Sequence, residues 1–382
     1  MTYARSRLWL GISGVGTTVL LCVGALAFDL PHRLIHPYVD QSFGTALAAI
    51  ALTWMLHAAL LLPLDFIGGV LVVPHSPGPL RWLSMWLRGI TVQWCWFALA
   101  AALLLRTAQQ FGVTKALVVF LLLQLVLLSR QGLIAWLVGG LRIRTVSATL
   151  AQVTADAGLP ITDVREIASN DFAFVGGWSG AEAQRLWVPQ HWVSELTTAQ
   201  LSVAIARRVA VRATGLRRRG VLVALAWNCA GFALAVAAPR ADLVTAAGVV
   251  TTMAYFTLWS FVGVLVLPSL SRPAVLMADR IAAETHKPAL VASTIDRLDA
   301  WQDDEAERPE AVEIVFHPVP SRAARQRALD SSTDPNASTP GAGAWHATRM
   351  MLFLSWAGLG GLARAVHCNI GRPSLWVMLP CD

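Results

Sequence analysis

The sequence predicts a mainly α-helical integral membrane protein, with about six transmembrane helices and a cytoplasmic α+β domain holding a small sheet. Three observations carry that expectation. The chain of 382 residues is 55% apolar and only 14% charged, whereas soluble domains carry about 25% charged residues. Its mean hydropathy is +0.56. Its apolar residues also gather in runs long enough to cross a bilayer core of about 30 Å, which takes roughly 20 helical residues.

The net charge of +7 comes mostly from arginine, with lysine only at Lys115 and Lys287. These bases flank the apolar runs, so the positive-inside rule accounts for them and a nucleic-acid partner is not expected. The expected partner common to every reading is the lipid bilayer.

The spans follow in order. The first is Leu8 to Phe28, preceded by Arg5 and Arg7. Ala25-Leu26-Ala27 has the small-residue spacing of a signal-peptidase site, but the apolar run exceeds a usual signal core, so an uncleaved span is expected. The second runs from Phe43 to Val73 and is broken by Pro63 and Asp65. The third covers Ile90 to Leu105 between Arg88 and Arg106, and the fourth Ala116 to Leu141 with Arg130 and Gln131 inside it. Val221 to Ala238 and Thr245 to Leu267 complete the set. Arg81, Arg88, Arg142, Arg144 and Arg217 to Arg219 all fall on one side if the N-terminus is cytoplasmic. The expected location is therefore the cytoplasmic membrane, multi-pass, with the polar domain facing the cytoplasm.

Between the fourth and fifth spans, "SATLAQVTADAGL" has helical spacing and ends at Gly158. "ITDVREIAS" and "QRLWVP" read as strands, and "GGWSGAEA" as a turn between them. Thr197 and Gln200 form a capping box for the helix that follows, and Gly215 stops it. The expected organisation is 1–144 with four spans, 145–220 as the first half of the polar domain, 221–267 as a hairpin, and 268–329 as the second half. A flexible linker at 330–344 then leads to an apolar helix and tail at 345–382, packed on the spans or lying in the interface. Cys22, Cys95 and Cys229 lie in apolar runs. Cys368 and Cys381 pair only in an oxidising compartment.

Four short segments, in this order, resemble the integral-membrane zinc metallopeptidases of the HtpX and CAAX prenyl protease type. "NDFAFVGGW" (170–178) is similar to the edge segment of that family. "LTTAQLSVAIA" (196–206) is similar to the start of the helix that carries H-E-x-x-H. "MADRIAAE" (277–284) resembles the segment after the hairpin, and "HPVPSR" (317–322) the closing one. The resemblance covers roughly 145–330 and implies a zincin-like cytoplasmic domain. It places the first ligand His at Arg207, the general-base Glu at Arg208, the second His at Val211 and the third ligand at Val275. Only the supporting acid is kept, as Asp279.

Valine has no lone pair to donate, and arginine stays protonated in proteins, so neither ligates zinc. The expectation is thus a chain with no catalytic residue, no metal and no cofactor at these positions. Arg207 and Arg208 would fill the metal cavity and pair with acids such as Asp279 or Glu284, whereas Arg217 to Arg219 read as charges at a membrane entry. As a pseudoprotease it would bind an unstructured peptide or a membrane protein partner. The groove candidates are Asn170, Asp171, Phe172, Ala173, Phe174, Gly176, Gly177 and Trp178, since an edge strand can hold an extended peptide. One alternative is an active zinc metalloendopeptidase with atypical ligands. Another is a lipid-binding or transport protein whose cavity is lined by His57, Asp65 and Arg130. His32, His36 and Asp40 share one helical face, but Pro37 interrupts it, and a solvated segment is expected there.

Overall fold

The computed structural model describes residues 3–35, 42–74, 76–169, 171–180, 183–302, 306–317, 319–330, 347–358, 360–366 and 369–377. Asn170, His36, Asp40, the linker 331–344, Cys368 and Cys381 therefore lie outside the described residues. The chain is mostly helical and carries a small mixed sheet.

In chain order the helices α1 (Tyr3–Ala27), α2 (Leu30–Leu34) and α3 (Phe43–Phe66) come first, and α3 continues into a π turn at Ile67–Leu71. Next are α4 (Pro79–Phe111), α5 (Val113–Ser129) and α6 (Gln131–Gly139). Strand β1 (Arg142–Arg144), α7 (Ala148–Asp156), β2 (Val164–Ala168), β3 (Gly177–Ser179) and β4 (Arg185–Pro189) follow. Helices α8 (Gln190–Glu195), α9 (Thr198–Ala213), α10 (Leu216–Val236) and α11 (Ala246–Thr285) lead to α12 (Pro288–Gln302), α13 (Glu310–Phe316) and α14 (Arg322–Asp330). Two short helices, α15 (Ala347–Leu354) and α16 (Pro373–Trp376), come last.

Five helices among the described residues are long and apolar enough to cross a membrane, or six if α5 and α6 form one span bent by 72°. Arg130 sits at that bend and is exposed. The third span is longer than its apolar stretch, because Pro79 sets the first helical φ and the helix runs on to Phe111. Pro63 does not end the second span; the helix passes it and widens into the π turn only at Ile67. A helix rises about 1.5 Å per residue, so the 40 residues of α11 reach about 60 Å, twice a bilayer core.

Two compact units divide the chain. The first holds Met1–Gly139, Ala224–Gly263 and Met351–Val377; the second holds Gly140–Val223 and Val264–Met350. In the first, Phe120 stacks on Phe232 with ring centroids 4.1 Å apart. The Asn228 amide donates to Gln124 Oε1 at 3.2 Å and to the Met351 carbonyl at 3.1 Å. The C-terminal stretch is neither one apolar helix nor an interfacial one. After α15 its described part runs on in short turns, and Leu362, Arg364, Ile370 and Trp376 among their side chains are buried within this unit.

Asp65 holds that stretch in place. Its carboxylate accepts from the Trp86 indole at 2.9 Å and from the Gly371 amide at 2.7 Å, and it lies 3.6 Å from the Arg364 guanidinium. Arg364 also lies over the rings of Trp54 and Trp376. Asp65 is thus not the end of a span, which runs on to Leu71.

The second unit carries the sheet, ordered β1-β2-β4-β3. β2 and β4 run parallel, and the outer pairs are antiparallel. The segment expected to be a turn contains edge strand β3, flanked by glycines with positive φ: Gly176 at 61° and Gly180 at 85°. A Cβ at Gly176 would sit 2.0 Å from the Trp187 carbonyl, so this close approach requires glycine.

Candidate functional site

Helix α9 begins as its sequence predicts. Thr197 Oγ1 accepts from the Gln200 amide at 3.2 Å, and the Gln200 side chain accepts from the Thr197 amide at 3.1 Å. Gly215, at φ 69°, closes the turn beyond it. The helix is then buried on two faces. Leu201, Ala204 and Ile205 pack against the sheet side with Trp178, Leu186, Val188 and Trp192.

The other face meets α11 in an antiparallel ladder. Val203 shares an apolar cluster with Ala282, Arg207 bonds Asp279, and Val211 shares a second cluster with Val275. Positions 203, 207 and 211 are four apart, so they stack along one helix face. The positions that the resemblance marks as ligand sites therefore converge: Arg207, Val211 and Val275, with Asp279 beside them.

What occupies this crossing is a charge cluster above an apolar plug. Arg207 Nε donates to Asp279 Oδ1 at 2.7 Å. Arg325 Nε donates to Asp279 Oδ2 at 2.7 Å, and Arg325 Nη2 to Oδ1 at 2.8 Å. The Arg207 and Asp279 side chains are 0% and 1% exposed. Below them Val211, Val275, Leu216, Ala274 and Ala278 close the space with side-chain carbon.

Arg325 was not legible in the sequence. The closing segment ends at Arg322, which lies 3.7 Å from Asp296. One helical turn separates Arg322 from Arg325, and only the packing of α14 decides which of them reaches Asp279. Glu284, the other acid expected here, is exposed. Arg217 is buried, unlike the exposed Arg218 and Arg219, so it does not share their place at a solvated membrane entry.

Arg208 turns to the opposite side. Its Nη2 donates to the Val175 carbonyl at 2.9 Å, and its guanidinium lies over the Trp192 ring, 5.4 Å from the centroid. The Trp178 indole donates to the Arg208 carbonyl at 2.7 Å. Phe174, Val175, Gly176, Gly177 and Trp178 are all buried. A guanidinium of this chain therefore already takes a backbone acceptor of the edge segment.

The same segment surfaces at Asp171, Phe172 and Ala173, where Phe172 is 41% exposed. Phe172 lies 5.0 Å from His191 and 6.4 Å from Trp301, centroid to centroid. Arg297 covers Trp301.

Burial lowers the His191 pKa to about 4, outweighing the opposing pull of Asp171. Because the folded protein disfavours the protonated ring, stability is full above the unfolded value near 6.5 and falls between there and about pH 4. His191→Phe should flatten the fall in unfolding midpoint over that window, as followed by near-UV circular dichroism. An unchanged pH slope in the variant would refute this role.

Of the remaining candidates, His32 bonds Asp29 at 2.9 Å. His57 lines a cavity with Thr18, whereas neither Asp65 nor Arg130 belongs to that lining. No group of three or more His, Cys, Asp and Glu side chains among the described residues is placed to hold a metal ion.

Together, apolar helices long enough to cross a membrane and a mixed-sheet unit with its buried helix crossing make up a fold shared with a solved structure. One solved structure of similar fold is that of S. mikatae Ste24p. It is similar with a TM-score of 0.64 at 12% identity, over 80% of this chain and 82% of that one. The likeness is one of fold. No family model matches the chain, and no curated protein matches it in sequence.

Proposed function

We propose that this chain is a non-hydrolytic homologue of the membrane zinc metallopeptidases, with its mixed-sheet unit facing the cytoplasm and serving to bind an unstructured peptide or a membrane protein partner. Ste24p is a zinc metallopeptidase of the CAAX prenyl protease type, which makes the helix crossing the place to ask about chemistry. The observation that carries the reading is the pairing of Arg207 and Arg325 on Asp279, above the packed Val211 and Val275.

These residues do not fit a zinc ion. The two valines offer no electron pair, and Asp279 is committed to two guanidiniums. A dication in their place would meet repulsion of about 4 kcal/mol per unit charge at 4 Å and an effective dielectric near 20. The absence of a glutamate at position 208 also removes the group that would activate water.

A peptide would bind outside the edge strand, at the aromatic surface of Phe172, His191 and Trp301, because Arg208 already occupies the Val175 carbonyl. Aromatic faces with an adjacent arginine are common anchors of this kind. The test has two parts. Elemental analysis of the purified protein, after incubation with zinc and desalting, should give far less than one zinc per chain. The same preparation should leave unstructured peptides uncut with or without chelator. One tightly held zinc with chelator-sensitive cleavage would instead establish an active enzyme with atypical ligands. Phe172→Ala should weaken capture of unstructured peptides, read by fluorescence anisotropy, by roughly tenfold.

A further inference from the structure

The first unit holds a cavity of about 360 Å³ between α1, α2, α3 and α11, which the proposed peptide binding does not use. Its walls are mostly apolar: Leu21, Ala25, Leu34, Leu56 and Leu60, with the flat ring of Trp54. Polar groups gather at one end, where Thr18, His57 and Thr257 meet Gly361. Thr18 lies nine residues before the end of α1 at Ala27. At about 1.5 Å per residue, that is about 14 Å deep, near the middle of a bilayer core of about 30 Å.

The hydrogen bonds at this end fix what it can recognise. The Thr18 hydroxyl donates to the Gly14 carbonyl at 3.0 Å. Its oxygen lies 3.3 Å from His57 Nε2. The arrangement in which Thr18 gives its proton to Gly14 and accepts from Nε2 puts the imidazole hydrogen on Nε2 and makes Nδ1 the acceptor. The Gly361 amide donates to Thr257 Oγ1 at 3.4 Å. Gly361 allows the ring this position, since a Cβ there would lie 2.9 Å from His57 Cε1.

We infer that this cavity binds a single-chain lipid with an uncharged hydroxyl head, seated on His57. A hydroxyl can donate to Nδ1, which an ester, an ether or a quaternary ammonium lacks the hydrogen to do. The head is neutral because a full charge at this depth of a bilayer is expensive and needs a partner of opposite sign. A volume of this size suits one aliphatic chain rather than a two-chain phospholipid. Among bilayer hydrocarbon a mid-depth hydroxyl has no partner, so the cavity offers it a hydrogen bond the surrounding lipid does not.

The protein in phosphatidylcholine nanodiscs would be exposed to deuterated hexadecanol, hexadecane or hexadecyl methyl ether. The amount retained per chain would then be counted by mass spectrometry, against empty nanodiscs. Retention of the alcohol at least tenfold above the ether and the alkane is expected. His57→Leu should bring the alcohol down to the level of the ether, and Ala25→Trp, which fills the cavity, should remove retention of all three. Equal retention of the three probes by the unmodified protein would mean apolar partitioning only and would overturn the inference, as would no retention at all. This comparison needs no variant, so it stands even if His57→Leu does not fold. It is also independent of peptide binding, which Phe172→Ala alone should alter.

Discussion

Asp279→Ala should destabilise the protein by about 3–5 kcal/mol, because it leaves two guanidiniums buried without their shared carboxylate. Asp279 is 1% exposed and accepts from both Arg207 and Arg325, at 2.7 and 2.8 Å. Neither arginine can shed its proton to escape the cost. The loss should reverse in large part when the arginines are removed too. The triple variant Arg207→Leu, Asp279→Leu, Arg325→Met replaces the cluster by apolar groups of similar size, and such replacements are often neutral or stabilising. Denaturant unfolding in detergent micelles, read by tryptophan fluorescence, measures both. A single variant within about 1 kcal/mol of the parent would mean that Asp279 does not hold the two helices together.

The second large effect is expected at Asp65, in the other unit. Asp65→Ala removes the acceptor of the Trp86 indole and the Gly371 amide and takes the carboxylate away from Arg364, which is 2% exposed. A cost of about 3–5 kcal/mol follows by the same reasoning. Its location makes a second, more specific outcome. Gly371 lies in the C-terminal stretch, 306 residues along the chain from Asp65. Loss of this anchor should free that stretch before the helices separate. Limited proteolysis near residues 360–377 should therefore speed up in the variant, while cleavage between α9 and α11 stays unchanged. Uniform acceleration over the whole chain would argue against a local anchor.

The convergence of 207, 211, 275 and 279 joins the sequence reading to the fold. Each of those residues was legible as a chemical fact: an arginine and two valines donate nothing to a metal, and an aspartate remains. Their order along the chain carried the resemblance, and the helical spacing of four put 207 and 211 on one face. What those residues do together was not legible. Local spacing does not say that Arg207 turns to Asp279 while its neighbour Arg208 turns to the Val175 carbonyl. Consecutive helix positions point about 100° apart, so the two destinations depend on what packs on each face. The turn read at "GGWSG" contains a strand for a related reason. Its glycines allow the backbone to approach Trp187, and the pairing partner lies beyond the local window.

By itself, then, the sequence determined the membrane class, the placement of the main helices, the α9 cap and the side chains available at the helix crossing. These depend on composition and on patterns a few residues long. The tertiary structure alone decided that Arg325 joins Asp279, that the C-terminal stretch folds into the first unit on Asp65, and that His57 lines a cavity whose walls do not include Asp65. Each of these depends on partners dozens to hundreds of residues apart, brought together by packing and by the need to pair buried charge, which no short window of sequence encodes.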